Sequence, residues 1–362
     1  MLGLFASKKL QLLGLDIGSS SVKLVALEKS SGTYRITHLA VEPVKSGAVA
    51  DDTIKDAAAV AESIKRAWRG SRASIKDCAL AVSSTSAITR TLFLESGLSE
   101  SEMESQISVE AGHHVPFAIE EVNLDFQVIG PAPDDQVEVL LTASRSENIN
   151  LLESVIDEAG LQVKIVDVET FALANAYLGL FGMKHGKEVS ALVHIGASSM
   201  LLIVIRDGHV LYTREMSFGV QQLEQQLPDG FEGGLAALTA EPMDEAAEVE
   251  DTDDEISFDS ADADSGDLLV DFHKQLVQQV NRAMQFFASS RQYQPVDLIL
   301  LSGGGAGLVG LADSVAEDQG VTTQVVDVAE KLGVSGKASK AALEQHGPAL
   351  VLAIGLAMRG AR

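Results

Sequence analysis

The sequence predicts an α/β protein of two lobes, each opening on a phosphate-binding hairpin. Two observations carry this. Leu13-Gly14-Leu15-Asp16-Ile17-Gly18-Ser19-Ser20-Ser21-Val22 and Ala191-Leu192-Val193-His194-Ile195-Gly196-Ala197-Ser198-Ser199-Met200 are copies of one pattern. Each is a short apolar strand, a turn of Gly and hydroxyl residues, and a second apolar strand. Gly lets the backbone come close to a ligand, and successive N–H groups with hydroxyls face an anion. Two such hairpins, one per half of the chain, suit a clamp on a polyphosphate. The second observation is a late strand–glycine–helix pattern. Val296 to Leu301 runs into Ser302-Gly303-Gly304-Gly305-Ala306-Gly307 and then a helix.

The elements follow in order. Residues 11–82 read as the core of the first lobe: the hairpin, a turn at Ser30-Ser31-Gly32, and a third strand. Alternation along Val22-Lys23-Leu24-Val25-Ala26-Leu27 fits a sheet. A helix from about Thr53 to Arg69 carries Ile54, Ala57, Ala58, Ala61 and Ile64 at helical spacing, and Cys78 to Val82 reads as a buried strand. Residues 83–166 read as an inserted α+β unit. Thr89 to Leu94 is a strand; Ser99 with Glu102 makes a capping box for a helix that Pro116 stops. Val122 to Ile129 and Val137 to Ala143 pair as strands, and Leu151, Leu152, Val155, Ile156 and Ala159 stripe a helix ended by Gly160. Residues 167–188 form a connecting helix.

The second lobe, 189–346, opens on the second hairpin, and Asp207-Gly208 marks a two-residue turn. Residues 228–266 are rich in Asp, Glu, Ser, Gly and Ala. They bury too little apolar surface to offset ordering costs of about 1–2 kcal/mol per residue, so a mobile segment is expected. Order returns with the stripe Leu269, Phe272, Leu276, Val280, Met284 and Phe287. A strand at Thr322 to Val326 follows, and residues 347–362 read as a C-terminal core helix.

Composition bounds the alternatives. The 362 residues leave room for about two domains. The single Cys78 excludes an intramolecular disulfide framework and suits a reducing compartment. Lys8 and Lys9 follow the first apolar residues, the wrong order for a secretory signal. No apolar run is expected to reach the roughly 18–20 residues that cross a bilayer. The net charge of −25 argues against nucleic acid or an anionic membrane as a direct partner. Fourteen acidic residues and no Lys or Arg lie between Glu241 and Asp271, so the rest of the chain carries −11.

The order of hairpin, inserted unit, hairpin and strand–GGG–helix resembles the actin/hexokinase/Hsp70 ATPase fold. The inserted unit resembles that of FtsA. The chain is most similar to the PilM family of type IV pilus assembly. The residues carrying this are Met1 to Phe5, Gly14 to Leu24, Gly97 to Glu104, Val166-Asp167-Val168-Glu169, Tyr212-Thr213-Arg214-Glu215, Val277 to Val280, Gln285-Phe286-Phe287 and Ser302-Gly303-Gly304. The resemblance implies an actin-like fold of two RNase H-like lobes, an ATP and Mg²⁺ site, and a cytoplasmic protein recruited to the inner membrane. The implied partner is the N-terminal cytoplasmic tail of the inner-membrane protein PilN, within the inner-membrane pilus assembly complex. The implied groove lies between the first-lobe core and the inserted unit. Alternatives of the same fold are an FtsA-like division protein, a type II secretion adaptor and a small-molecule kinase. A membrane-binding division protein needs a terminal amphipathic helix, for which Pro348 to Arg362 leaves no room.

The candidate nucleotide-binding residues are Asp16, Gly18, Ser19, Ser20, Ser21, Lys23, Gly196, Ser198, Ser199, Gly303, Gly304 and Gly305. The serines offer hydroxyls and N–H groups to phosphate, and Lys23 is a point charge. The resemblance gives Asp16 to Mg²⁺, a hard cation that keeps its waters and wants a carboxylate. It also gives the glycine loop to the adenosine. His194 departs from the family, which has Asp there; imidazole does not replace it, because Mg²⁺ prefers oxygen. A packed histidine with its ring satisfied is the simpler reading. Weak nucleotide binding and negligible hydrolysis are expected, and no catalytic residue is assigned.

Overall fold

The computed structural model describes residues 11–30, 32–182, 188–227, 238–239 and 260–360. The first lobe begins with β1 (Leu13–Ile17), β2 (Ser21–Ser30) and β3 (Thr33–Pro43), then the short ribbon β4 (Val49–Ala50) and β5 (Thr53–Ile54). Helix α1 (Ala57–Ser71) and strand β6 (Asp77–Val82) follow. Next come β7 (Ala87–Glu95), α2 (Glu100–His114), β8 (Val122–Ala132), β9 (Gln136–Arg145), α3 (Ser146–Glu158), β10 (Gln162–Val168) and α4 (Glu169–Phe181). The second lobe holds β11 (Val189–Ile195), β12 (Met200–Arg206), β13 (His209–Met216), α5 (Gln221–Glu224) and α6 (Ser260–Ala288). After it come β14 (Leu298–Ser302), α7 (Leu311–Gln319), β15 (Thr323–Val325), α8 (Val328–Lys331), β16 (Gly333–Val334), α9 (Lys340–His346) and α10 (Val351–Ala357).

The two main sheets repeat one order. The first runs β10-β6-β1-β2-β3, extended at β3 by β16, and the second runs β15-β14-β11-β12-β13. In both, the opening strand pairs antiparallel with the second and parallel with the fourth in the lobe's main sheet. The duplicated hairpins therefore sit at the same place in two copies of one sheet. Strand β16 returns the chain from the second lobe to the edge of the first.

Local signals explain most boundaries. Asp56 caps α1 by accepting from the Ala59 N–H, and Val60, Ala61, Ile64 and Ala67 fill the face under it. The capping box is formed: Ser99 N–H donates to Glu102 Oε2 at 2.8 Å, and the Ser99 hydroxyl receives the Glu102 N–H. Asp207 (φ 52°) and Gly208 (φ 80°) make the two-residue turn between β12 and β13.

Three expectations need correcting. The inserted sheet is three-stranded, β7-β9-β8, with its own core of Leu92, Leu94, Ile107, Val139 and Leu141. It ends at Arg145. Helix α3 and strand β10, expected inside the insertion of 83–166, belong to the first lobe: Val155 and Ile156 pack with Ile64 and Ala67, and β10 pairs with β6. The stripe on α3 announced a buried face without saying which partner covers it. Helix α6 begins at Ser260, before the expected Leu269. The rest of the expected mobile segment lies almost wholly outside the described residues.

The third concerns the C-terminus. Lys340–Gly360 is long and apolar enough to cross a membrane by length and composition alone. Its apolarity is that of a core helix, since Val351 to Met358 are all buried in the first lobe. Helix α10 lies between β1 and α4 at backbone contact. A Cβ on Gly14 would stand 1.9 Å from the Ala353 carbonyl oxygen, and one on Gly355 would stand 1.8 Å from that of Ala172.

Candidate functional site: an interlobe cleft

Strand β1 aims Asp16 into the space between the lobes. Leu13 and Leu15 point the other way, into the core beneath α1. Gly14 faces α10, and Asp16 shares its face two residues on. The turn closes with Gly18 N–H donating to the Ser21 carbonyl at 3.1 Å. Register then sets Asp16 opposite Lys23, and Lys23 Nζ lies 3.1 Å from Asp16 Oδ2. Both side chains are largely buried.

The second hairpin repeats the turn: Gly196 N–H donates to the Ser199 carbonyl at 2.8 Å. It is anchored from behind, where the Val220 and Gln221 N–H groups donate to the Gly196 and Ala197 carbonyls. The tips of the two turns meet. The Ser19 hydroxyl donates to Ser198 Oγ at 3.2 Å across the cleft. The cleft encloses about 1110 Å³, counting its open mouth.

Of the sequence-derived residues, Asp16, Gly18, Ser19, Ser20, Lys23, Gly196, Ser198 and Ser199 line this cleft together. Ser21 sits behind the turn, its carbonyl accepting from Gly18 and, at 3.5 Å, from Lys23 Nζ. Gly303, Gly304 and Gly305 do not line it. Gly303 (φ +91°) and Gly305 are required by close packing, because a Cβ there would meet the Ile195 carbonyl oxygen at 2.2 Å and the Ile195 and Val220 side chains at 2.5 Å. Gly304 alone has open space around it. The loop also ties the second sheet to the C-terminal segment, with Gly303 N–H donating to the Pro348 carbonyl at 2.8 Å.

His194 is packed in the manner of a neutral ring. Its Nδ1 lies 3.0 Å from the hydroxyl of fully buried Ser302. Burial lowers its pKa to about 4, and nearby Lys23 adds to this while Asp16 opposes it.

Asp52 and Glu169, to which the sequence reading gave no role, line the same space, and Glu215 lies beside Asp52 and Ser199. Glu169 opens α4 directly after β10 and lines the cleft beside Asp16 and Asp52. Burial first, then the charges of Glu215, Asp16 and Asp52, push its carboxyl well above the usual range, against Lys23. Glu215, on β13, accepts the Thr85 N–H at 3.2 Å. Burial and the charge and hydrogen bond of Asp52 raise it to about 7, while Thr85 and Ser199 pull the other way. The signal for Glu169 was an acidic residue at a strand-to-helix junction. Glu215 stood in the resemblance segment Tyr212-Thr213-Arg214-Glu215, which assigned it no role.

The two shifts act oppositely on stability. The neutral His194 contributes fully above about pH 6.5, and its contribution is lost as pH falls toward about 4. The elevated Glu215 contributes fully below pH 4.5, and its contribution is lost as pH rises through about 7. Replacing His194→Gln is therefore expected to gain stability relative to the parent between pH 7 and pH 4.5, by denaturant unfolding at each pH. Parallel curves for the two proteins across that window contradict this placement of the ring.

The chemistry is that of a phosphate site needing a divalent counter-ion. Lys23 is the one cation lining the cleft among the described residues, and carboxylates outnumber it. A bare polyphosphate is repelled there. Asp16 suits a hydrated Mg²⁺ on the first-lobe side. On the second-lobe side the equivalent position is His194, which does not fit.

Residues 14–361 match the family model described as type IV pilus assembly protein PilM. A PilM-PilN type IV pilus biogenesis complex contains a chain 26% identical to this one; the alignment covers 98% of this chain and 99% of that one, with a TM-score of 0.77. The ethanolamine utilization protein EutJ from Carboxydothermus hydrogenoformans is 14% identical over 96% of this chain and 89% of its own, with a TM-score of 0.55. At that identity the likeness speaks for the fold alone. The duplicated sheet order and these relatives together make the architecture actin-like.

Proposed function

This chain belongs to the PilM family of type IV pilus assembly proteins, and we propose that it acts there as a scaffold gripping the cytoplasmic N-terminal tail of PilN. PilN would hold it at the inner face of the inner membrane, in the pilus assembly complex. The observation that carries the reading is a second concavity, on the inserted unit where it meets Asn148 of α3 in the first lobe. Ile88, Val115, Pro116, Phe117 and Val122 give it apolar walls, and Arg145 and Asn148 stand at its polar side. The Arg145 guanidinium lies 4.9 Å from the Phe117 ring centroid. An apolar groove with a few fixed polar groups suits an extended peptide that buries alternate side chains and bonds through its backbone.

The interlobe cleft takes Mg-ATP in this reading. The turns of Gly18 to Ser20 and Gly196 to Ser199 and Lys23 receive the phosphates, and Asp16 holds the ion's hydration shell. Mg²⁺ supplies the positive charge that the carboxylate-rich cleft lacks. Turnover is negligible, because His194 offers neither fixed negative charge nor an oxygen ligand, and phosphoryl transfer depends on positioning and electrostatics. Nucleotide then tunes how the lobes close, and the protein works by binding.

The test is a calorimetric titration with a peptide of the cognate PilN N-terminus. The parent should bind it, and Arg145→Glu with Phe117→Ala should weaken binding about tenfold or more. Equal affinity for parent and variant overturns the groove assignment.

A further inference from the structure

Arg214 and Phe286 both stand in segments of the family resemblance, line neither concavity, and are brought together by the fold. Arg214 of β13 lies opposite Leu202 of β12, on the face that α6 covers. Its guanidinium is 3.8 Å from the Phe286 ring centroid, and its Nε is buried with no acceptor. The ring itself is 53% exposed. Tyr293, also half-exposed, continues this surface through Phe287, which touches both it and Tyr212. Arg282, one turn before Phe286 on α6, is exposed. Neither arginine enters an ion pair among the described residues. The chain carries a net charge of −25, yet residues 272–296 hold Lys274, Arg282 and Arg291 and no Asp or Glu. Charges beyond a Debye length of about 10 Å are screened, so a ligand here meets a positive rim on an acidic protein. The rim borders an open sheet edge. In the first lobe the matching edge, that of β3, is closed by β16. On β13 no strand pairs with the outer edge among the described residues, and only Met216 of that strand is buried. An open edge presents unpaired N–H and C=O groups that can take one more strand.

We propose that the outer edge of β13 is a further protein-docking site, which takes an extended acidic segment of a partner as a sixth strand of the second-lobe sheet. The backbone of the segment bonds to β13, and alternate side chains fall on the α6 side. Carboxylates there meet Arg214 and Arg282, and the exposed Phe286 ring is covered. The planar guanidinium takes a carboxylate through two parallel bonds, and stacking on Phe286 holds that of Arg214 in place beforehand. Glu215, the one acid on β13, is turned to the opposite face, where it accepts the Thr85 N–H. A long polyanion such as nucleic acid is repelled by the acidic surface beyond the rim, whereas a short segment meets the rim alone. The site needs neither the groove nor the cleft to be occupied.

The experiment is fluorescence anisotropy on the full chain with a labelled peptide of sequence Val-Glu-Val-Glu-Val-Glu-Val, which as a strand puts all its carboxylates on one face. The parent should bind it, and should not bind the same peptide with Lys at each Glu. Arg214→Ala with Arg282→Ala should weaken binding about tenfold or more. Arg282→Ala alone, which removes only an exposed side chain, should weaken it about threefold and leave folding untouched. Methylating the backbone nitrogens of alternate peptide residues keeps every charge and removes the strand bonds on one side. One of the two methylated sets should abolish binding while the other is tolerated. No binding by the parent, equal binding of the Lys peptide, or unchanged affinity in both arginine variants overturns the proposal. So does tighter binding of a single-stranded oligonucleotide that the double variant loses, which gives the rim to nucleic acid. A parent dimer that the double variant turns into a monomer also overturns it, by giving the edge to a second copy of this chain.

Discussion

Gly355→Ala is expected to destabilise the first lobe by about 3 kcal/mol. In an exposed helix interior the same change stabilises by about 1 kcal/mol, because alanine is the better helix former. Helix α10 is not such a place. The new Cβ would stand 1.8 Å from the Ala172 carbonyl oxygen, 2.7 Å from its carbon and 3.2 Å from the Ala176 Cβ. The obstacle is the backbone of α4, which has no rotamer to change. On its other face α10 is pinned by Gly14, whose own Cβ would meet Ala353 and Ala357 backbone atoms. The helix has nowhere to retreat, so the strain spreads into β1 and displaces Asp16 two residues along. Denaturant unfolding should show the loss. A gain near 1 kcal/mol would show that α10 has slack between its neighbours.

Lys23→Met is the second large effect, at about 3 kcal/mol. The Lys23 and Asp16 side chains are 13% and 8% exposed and 3.1 Å apart. Removing the ammonium leaves a buried carboxylate beside Glu169 and Asp52 with no cation. A broken buried pair costs far more than the pair itself contributes. Asp16→Asn in the Lys23→Met background should therefore recover most of the loss. Simple additivity of the two single losses would mean that water already screens this pair.

Much of this architecture is legible in the sequence, and the reasons differ by element. The two hairpins declare themselves because a phosphate turn needs Gly and hydroxyl residues at fixed positions between apolar strands. The Asp16–Lys23 ion pair is not read there, where Asp16 is given to Mg²⁺ and Lys23 to phosphate; the register of the hairpin makes it. The capping box at Ser99 and the turn at Asp207-Gly208 are local chemistry and read off directly. What was not legible depends on which surfaces meet. The stripe on α3 fits an insertion or a lobe equally well until α1 is seen to cover it. Gly303 and Gly305 look like ligand-facing glycines, yet each is required by contact with Ile195, distant in sequence. Glu169 and Glu215 lie in motifs of the family resemblance, but only the fold brings them toward Asp16 and Asp52. The C-terminal core helix is expected from its apolar run, but that β1 and α4 are what cover it is a tertiary fact.

The central claim is that the groove on the inserted unit, where it meets Asn148 of α3, holds the PilN tail. Photo-crosslinking in intact cells tests it most directly. A benzophenone side chain placed at Ile88, inside the groove, should capture PilN, and one at Val270, exposed on α6 of the second lobe, should not. Capture of PilN from Val270 with none from Ile88 would contradict the account.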